Sequence, residues 1–225
     1  MINHRQLNER IAAIALPSRM QHLPVSPTGF PVPWFVDKLD GEYDFRAIDF
    51  EKLQRAVRQR LCWLCGQTLG ARLAFVIGPM CAVNKVTSEP PSHRECAEYA
   101  VKACPFLTQP RMRRNAKGIA ELVAAGEAKQ PAGFAFDRNP GVAMLYMTRT
   151  FKPFRPHAGK AGILFRLGPA EGVTCYREGR PATRAEVLES IDSGMPLLRR
   201  LDYGEVAQRH LDAQYKEALR LLPAA

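Results

Sequence analysis

Cys62-Trp63-Leu64-Cys65-Gly66 and Ser92-His93-Arg94-Glu95-Cys96 bracket a stretch, 61–105, that holds five of the six cysteines in the chain. Two cysteines two residues apart, then a gap, then a His and a Cys two residues apart, is metal-ligand spacing. Cys-x-x-Cys followed by Gly folds as a tight knuckle that turns both sulfurs toward one ion. Ser92 and Glu95 have the spacing of a capping box and predict a helix from there to about Ala103. Within that helix His93 and Cys96 lie three residues apart, on one face of its first turn. Zinc takes four tetrahedral ligands drawn from thiolates and imidazoles. The expected site is therefore a structural Zn2+ held by Cys62, Cys65, His93 and Cys96.

The other cysteines separate on distance and context. A helix running from Cys96 to Cys104 places them about 12 Å apart along its axis, too far to share one ion. Cys104 is thus a core residue. Cys175 falls in an expected strand, where a free thiol behaves as a small hydrophobe. Cys81, at the end of an expected strand, is a reserve ligand should His93 turn away.

A catalytic zinc is the competing reading, since His93-Arg94-Glu95 matches the His-x-Glu element of zinc deaminases. Here Cys-x-x-Cys comes first rather than last, and Cys96 closes the position a catalytic water needs. An HNH nuclease wants a His between Cys65 and His93, and there is none. The exposed residues of the ligand helix, Arg94, Glu95, Glu98 and Lys102, are of mixed sign, unlike a helix built for a phosphate-lined groove.

A knuckle, a strand pair and a helix that donates two ligands from its first turn resemble treble-clef zinc fingers in Cys62, Cys65, Gly66, His93 and Cys96. The chain also resembles a family of uncharacterised bacterial and phage proteins. That likeness is carried by Gly29-Phe30-Pro31-Val32-Pro33-Trp34-Phe35-Val36, Phe75-Val76-Ile77-Gly78-Pro79-Met80-Cys81 and Glu89-Pro90-Pro91-Ser92-His93. It spans the N-terminal half and implies no particular activity.

At 225 residues, 46% hydrophobic and 24% charged, the chain suits a globular fold. No apolar run approaches the roughly 18 residues of a membrane-spanning helix. Met1-Ile2-Asn3-His4-Arg5 lacks the layout of a secretory signal, so the cytoplasm is the expected location and reduced thiols the expected state. The formal charge of +10 is uneven: residues 111–166 carry 11 basic and 3 acidic side chains, while residues 167–225 carry 8 and 9. Concentrated basicity suits an anionic partner such as nucleic acid. One cluster, Arg111, Arg113, Arg114 and Lys117, stands at an expected helix start. The other, Arg149, Lys152, Arg155 and Lys160, interleaves with Phe151 and Phe154, a pattern that fits single-stranded nucleic acid. The bland alternative packs both rings inward and leaves the charges solvated.

Elsewhere the pattern predicts α+β. Residues 4–15 read as an amphipathic helix through Leu7, Ile11 and Ile14, followed by a Pro-rich arm or edge strand whose Trp34 and Phe35 pack on the zinc module. Asp49 caps a helix with Phe50, Leu53 and Val57 inward. Arg72–Gly78 reads as a buried strand with an extended return to Thr87. Beyond a seam near 106–114 come a helix over 115–127, with Ile119, Leu122 and Val123 inward, and strands at 133–136, 143–150, 162–167 and 172–176. Capping boxes Thr183/Glu186 and Asp202/Glu205 open two C-terminal helices. The first stops at Gly194, and the second buries Val206, Leu211, Tyr215, Ala218 and Leu222. The expected organisation is an N-terminal arm plus zinc module, 1–110, then a basic strand-rich region with C-terminal helices, 111–225. Walker, dinucleotide-binding and Gly-x-Ser-x-Gly motifs are absent from the sequence. Two further readings stand beside nucleic-acid binding. One is an enzyme with a pocket between the halves, served by His157 or Glu95. The other is a protein-interaction adaptor presenting the Pro-rich arm.

Overall fold

The computed structural model describes residues 6–109, 112–113, 115, 117–124, 132, 139–156, 162–201 and 204–222. Along the N-terminal half run α1 (Glu9–Ala12), β1 (Val36–Leu39), β2 (Glu42–Ile48), α2 (Phe50–Gln59), β3 (Leu73–Ile77), α3 (Pro79–Asn84), β4 (Val86–Thr87), α4 (Arg94–Ala103) and α5 (Pro105–Thr108). Then follow α6 (Ile119–Ala124), β5 (Ala143–Thr148), β6 (Phe151–Phe154), β7 (Leu164–Leu167), β8 (Gly172–Arg177), β9 (Arg180–Pro181), α7 (Arg184–Leu201) and α8 (Glu205–Arg220). The class is mixed α+β with small antiparallel sheets and C-terminal helices, as the periodicity predicts.

The central sheet has the order β3-β5-β8-β9, and a second has the order β4-β7-β6. β3 pairs with β5 along its whole length, from Leu73↔Thr148 to Ile77↔Met144, so residue ranges 1–110 and 111–225 share a sheet. Both of these strands are buried on both faces, which is why they read as continuous apolar runs. One face carries Ala74, Ala143 and Leu145 and packs with Ala97 and Val101 of α4. The other carries Phe75, Met144 and Tyr146 and packs with Phe165, Val187, Ile191 and Leu211. Helix α4, which bears half of the ligand motif, is thus seated on the central sheet.

Several local expectations hold. Asp49 caps α2, accepting from Lys52 N at 3.0 Å. The Thr183/Glu186 box closes both ways at α7, with Thr183 N–H donating to Glu186 Oε2 at 2.8 Å and Glu186 N–H to Thr183 Oγ1 at 3.3 Å. The Pro-rich segment is an arm. Trp34 N–H donates to Leu64 O at 2.8 Å, and Phe35 stacks on Trp63 with centroids 4.6 Å apart.

Others are corrected. Regular α1 covers only Glu9–Ala12, capped by Asn8. The segment after β3 is not extended: Pro79 sits in the first turn of a helix, and Cys81 lies within α3 rather than at a strand end. β3 and β4 do not pair with each other; β4 pairs with β7. The β1–β2 hairpin was unforeseen, although Asp40-Gly41 supplies two positive φ values, 51 and 83, for a two-residue turn. β6 fills what reads as a connection between strands. Helix α7 runs through Gly194, because a side chain there would meet Met80 Sδ at 2.4 Å; the glycine admits a neighbour rather than ending the helix. α8 begins after Gly204, and Val206 is 74% exposed rather than buried, while Leu211 and Ala218 face the core. The expected strand at 133–136, Asp202 and the side chains of Ile119 and Leu122 lie outside the described residues.

Candidate metal centre

The knuckle forms because the chain folds back between Leu61 and Thr68, which make an isolated antiparallel bridge. Cys62 N–H donates to Gln67 O at 2.7 Å and Gly66 N–H to Cys62 O at 2.8 Å. Gly66 turns at φ +74, with the Trp34 indole lying directly against its Cα side. The second pair of ligands is carried in by two contacts. Ser92 exchanges backbone bonds with Ala74 of β3, at 2.7 and 3.0 Å, and Trp63 N–H donates to Pro91 O at 3.1 Å. His93 is then the N-cap of α4, and Cys96 sits in the first turn, at the positive end of the helix dipole.

Cys62, Cys65, His93 and Cys96 form one group, all four buried, with their ligand atoms within 4.8 Å of one another. His93 Nδ1 lies 3.4 Å from Cys65 Sγ and 4.0 Å from Cys96 Sγ. These distances bracket the roughly 3.6 Å nitrogen–sulfur separation of a tetrahedral zinc with bonds of about 2.0 and 2.3 Å. On its outer side, His93 Nε2–H donates to Thr68 O at 3.0 Å, which leaves the Nδ1 lone pair for the sulfurs' side. The backbone N–H groups of Cys65 and His93 both point at Cys62 Sγ, at 3.4 Å. The donor set therefore fits a thiophilic metal ion.

The electrostatics follow from crowding three thiols around one imidazole. Hydrogen bonds from the Cys65 and Cys96 thiols pull the Cys62 thiol well below its ordinary pKa. Those same contacts with Cys62 push Cys65 up to about 11 and raise Cys96 as well. His93 is raised, chiefly by its bond to Cys62. The thiol protons are thus held unequally, less tightly at Cys62 and more tightly at Cys65 and Cys96. A divalent cation can replace those protons, which makes binding dependent on pH.

The remaining cysteines lie outside the group. Burial pushes Cys81 and Cys175 up to about 11 and raises Cys104. Glu95 is not the capping acid that its spacing suggests. The helix starts one residue late, with His93 as N-cap, and the Ser92 backbone is engaged by β3. Glu95 instead pairs with Arg19 at 2.9 Å, and Arg19 Nη1 also donates to Gln67 Oε1 at 3.1 Å. Arg19 thereby ties the arm to both the knuckle and α4. Neither Arg19 nor Thr68 was legible as part of the site, because both reach it from distant sequence.

The basic residues scatter. Arg113 and Lys117 are exposed, and the Lys117 carbonyl accepts from Arg46 at 2.8 Å. Arg149 is ion-paired with Glu171. Lys152 and Arg155 are exposed on and just after β6. Arg111, Arg114, His157 and Lys160 lie outside the described residues. Phe151 does turn inward, against Phe75 and Phe165. Arg166 of β7, which was not among the expected contacts, stands opposite Lys152 of β6; strict alternation with buried Phe165 and Leu167 was the signal for it.

The molecule is, by fold and site, a mixed α+β protein with a buried Cys3His group able to hold a metal ion. No described helix is long and apolar enough to cross a membrane. No protein-family model, curated protein or solved structure matches the chain.

Proposed function

We propose that the protein is a zinc-stabilised binding protein. In this reading a structural Zn2+, held by Cys62, Cys65, His93 Nδ1 and Cys96, ties the arm, β3 and α4 together, and the basic surface takes a polyanion such as nucleic acid. The observation that carries the metal assignment is the closure of the donor set: three sulfurs and one imidazole nitrogen, all buried, with the imidazole oriented from behind by Thr68. Four protein ligands leave no position for a substrate water, which favours a structural over a catalytic ion. Thiolate-rich tetrahedral sets select zinc over harder cations. The ion supplies folding free energy on the order of 10 kcal/mol.

The order knuckle, strand, ligand-bearing helix supports a treble-clef-like description. The departure is that β3 and β4 pair with β5 and β7 instead of with each other. The polyanion part rests on the charge excess of residues 111–166.

Metal content per chain, measured on purified protein, tests the site. One zinc per chain is expected in the wild type, in Cys81→Ser and in Cys104→Ser, with loss of zinc in Cys62→Ser and Cys96→Ser. Full zinc in Cys96→Ser would overturn the assignment.

A further inference from the structure

The geometry points to the exposed face of the β6–β7 ribbon as a binding face for single-stranded nucleic acid, with Phe154 as the base platform and Lys152 and Arg166 as phosphate contacts. This rests on the reading that the basic surface takes a polyanion.

The face is defined by register. β6 and β7 pair as Phe151↔Leu167, Lys152↔Arg166, Pro153↔Phe165 and Phe154↔Leu164. Phe151 is held inward, its ring meeting Phe75 at 5.7 Å and Phe165 at 5.8 Å, edge to face. Phe165 and Leu167 are buried on the same side. Successive side chains alternate between faces. Lys152, Phe154, Leu164 and Arg166 therefore share the other face, with both cations exposed and both apolar side chains half-buried.

Two like charges directly opposite each other across a strand pair are destabilising. Some exposed arginines are neutralised, with Arg19, Arg94, Arg149, Arg180 and Arg199 each contacting a carboxylate, while others such as Arg58, Arg60 and Arg72 stand in solvent without an ion pair among the described residues. Among the described residues neither Lys152 nor Arg166 has a carboxylate partner. Edge protection explains part of this, because β6 is an edge strand and a lysine and a proline there discourage pairing with another chain. It does not explain Arg166, which lies on β7, the central strand between β4 and β6. An anion set between the two cations removes the conflict.

The aromatic partner selects the kind of anion. The Arg166 guanidinium lies over the Phe154 ring, 5.3 Å from its centroid, so the cation takes one ring face and a base would stack on the other. A ring beside a phosphate-binding cation stacks a base while the cation holds the backbone. Exposed Arg155 continues the positive row just beyond the end of β6. Among the described residues the face offers a short ribbon and no protruding helix to enter a duplex groove, and a base can reach Phe154 only when it is unpaired.

The test is fluorescence anisotropy with the full zinc-loaded chain. The probes are a labelled oligothymidylate, the same strand annealed to its complement, heparin as competitor, and phosphatidylserine vesicles. The oligothymidylate should bind more tightly than the duplex, with affinity falling steeply between about 50 and 200 mM salt. Lys152→Gln and Arg166→Gln should each lower the salt slope by about 0.7. Phe154→Leu should weaken binding about tenfold with the slope unchanged. All three variants should keep their zinc and their circular dichroism. If neither oligonucleotide nor heparin binds, the polyanion reading falls and takes the inference with it. If oligonucleotide binds but these variants change nothing while Arg113→Gln or Lys117→Gln does, the polyanion reading stands and this face is the wrong one. Equal affinity for duplex, or preference for vesicles, overturns the single-strand assignment.

Discussion

Gly66 holds the knuckle closed at φ +74, and a methyl group on its Cα would meet the Trp34 indole at 2.7 Å. The left-handed conformation costs an ordinary residue roughly 1–2 kcal/mol, and overpacking adds about 1–3. Gly66→Ala is therefore expected to lose about 2–5 kcal/mol of stability, read by urea unfolding. A loss below about 1 kcal/mol would mean that the indole is not held where it lies. At this scale the four candidate ligands were legible, because the spacing within each pair, Cys62/Cys65 and His93/Cys96, is a local property of the chain. The partners that orient them were not: Thr68 reaches His93 from 25 positions away and Arg19 reaches Glu95 from 76. Glu95 itself was misread because a start shifted by one residue, from Ser92 to His93, is enough to free a capping acid for another partner.

Helix α7 starts as its sequence predicts and ends where its packing allows. The Thr183/Glu186 box is local, so spacing alone revealed it. Gly194 carries the same stop signal as any glycine, and only its contact with Met80 shows that the helix passes through. Pro196 removes a backbone donor yet does not end the helix either. The bond from Arg180 holds the Glu186 carboxyl at about 2, helped by the Thr183 N–H. A depressed carboxyl contributes stability above its ordinary value near 4.5, and that contribution is lost as pH falls toward 2. A carbon-detected NMR titration should accordingly give Glu186 a midpoint near 2. Arg180→Gln should move it upward, toward the ordinary value. An unshifted Glu186 in the wild type would show that the Arg180 contact does not persist in solution. In α8, Val206 is 74% exposed, and Val206→Lys should leave the unfolding free energy, read by urea titration, within about 0.5 kcal/mol of wild type.

Over the whole molecule the metal group is part of the main core. Cys62 and Cys96, both 0% exposed, belong to one buried cluster with Leu73, Phe75, Met144 and Ile191. Both tryptophans report on this region, Trp63 through its stack with Phe35 and Trp34 through its contact with Gly66. Stripping the proposed zinc with a chelator should therefore red-shift the tryptophan emission and reduce the far-ultraviolet helical signal in one coincident transition. Emission that shifts while the helical signal stays intact would make the centre a local clasp instead of a support of the fold.

The chain's local sequence determined the Cys62/Cys65 and His93/Cys96 pairs, the helices and strands that make the α+β class, the capping of α2 and α7, and the burial of β3, because each depends on residues within a turn or two of one another. Tertiary structure alone decided that the two ligand pairs meet, that β3 pairs with β5, and that β4 leaves β3 for a different sheet, where it pairs with β7. Those pairings join residues far apart along the chain. They depend on which faces exclude water together, and that is settled only when the whole core has formed.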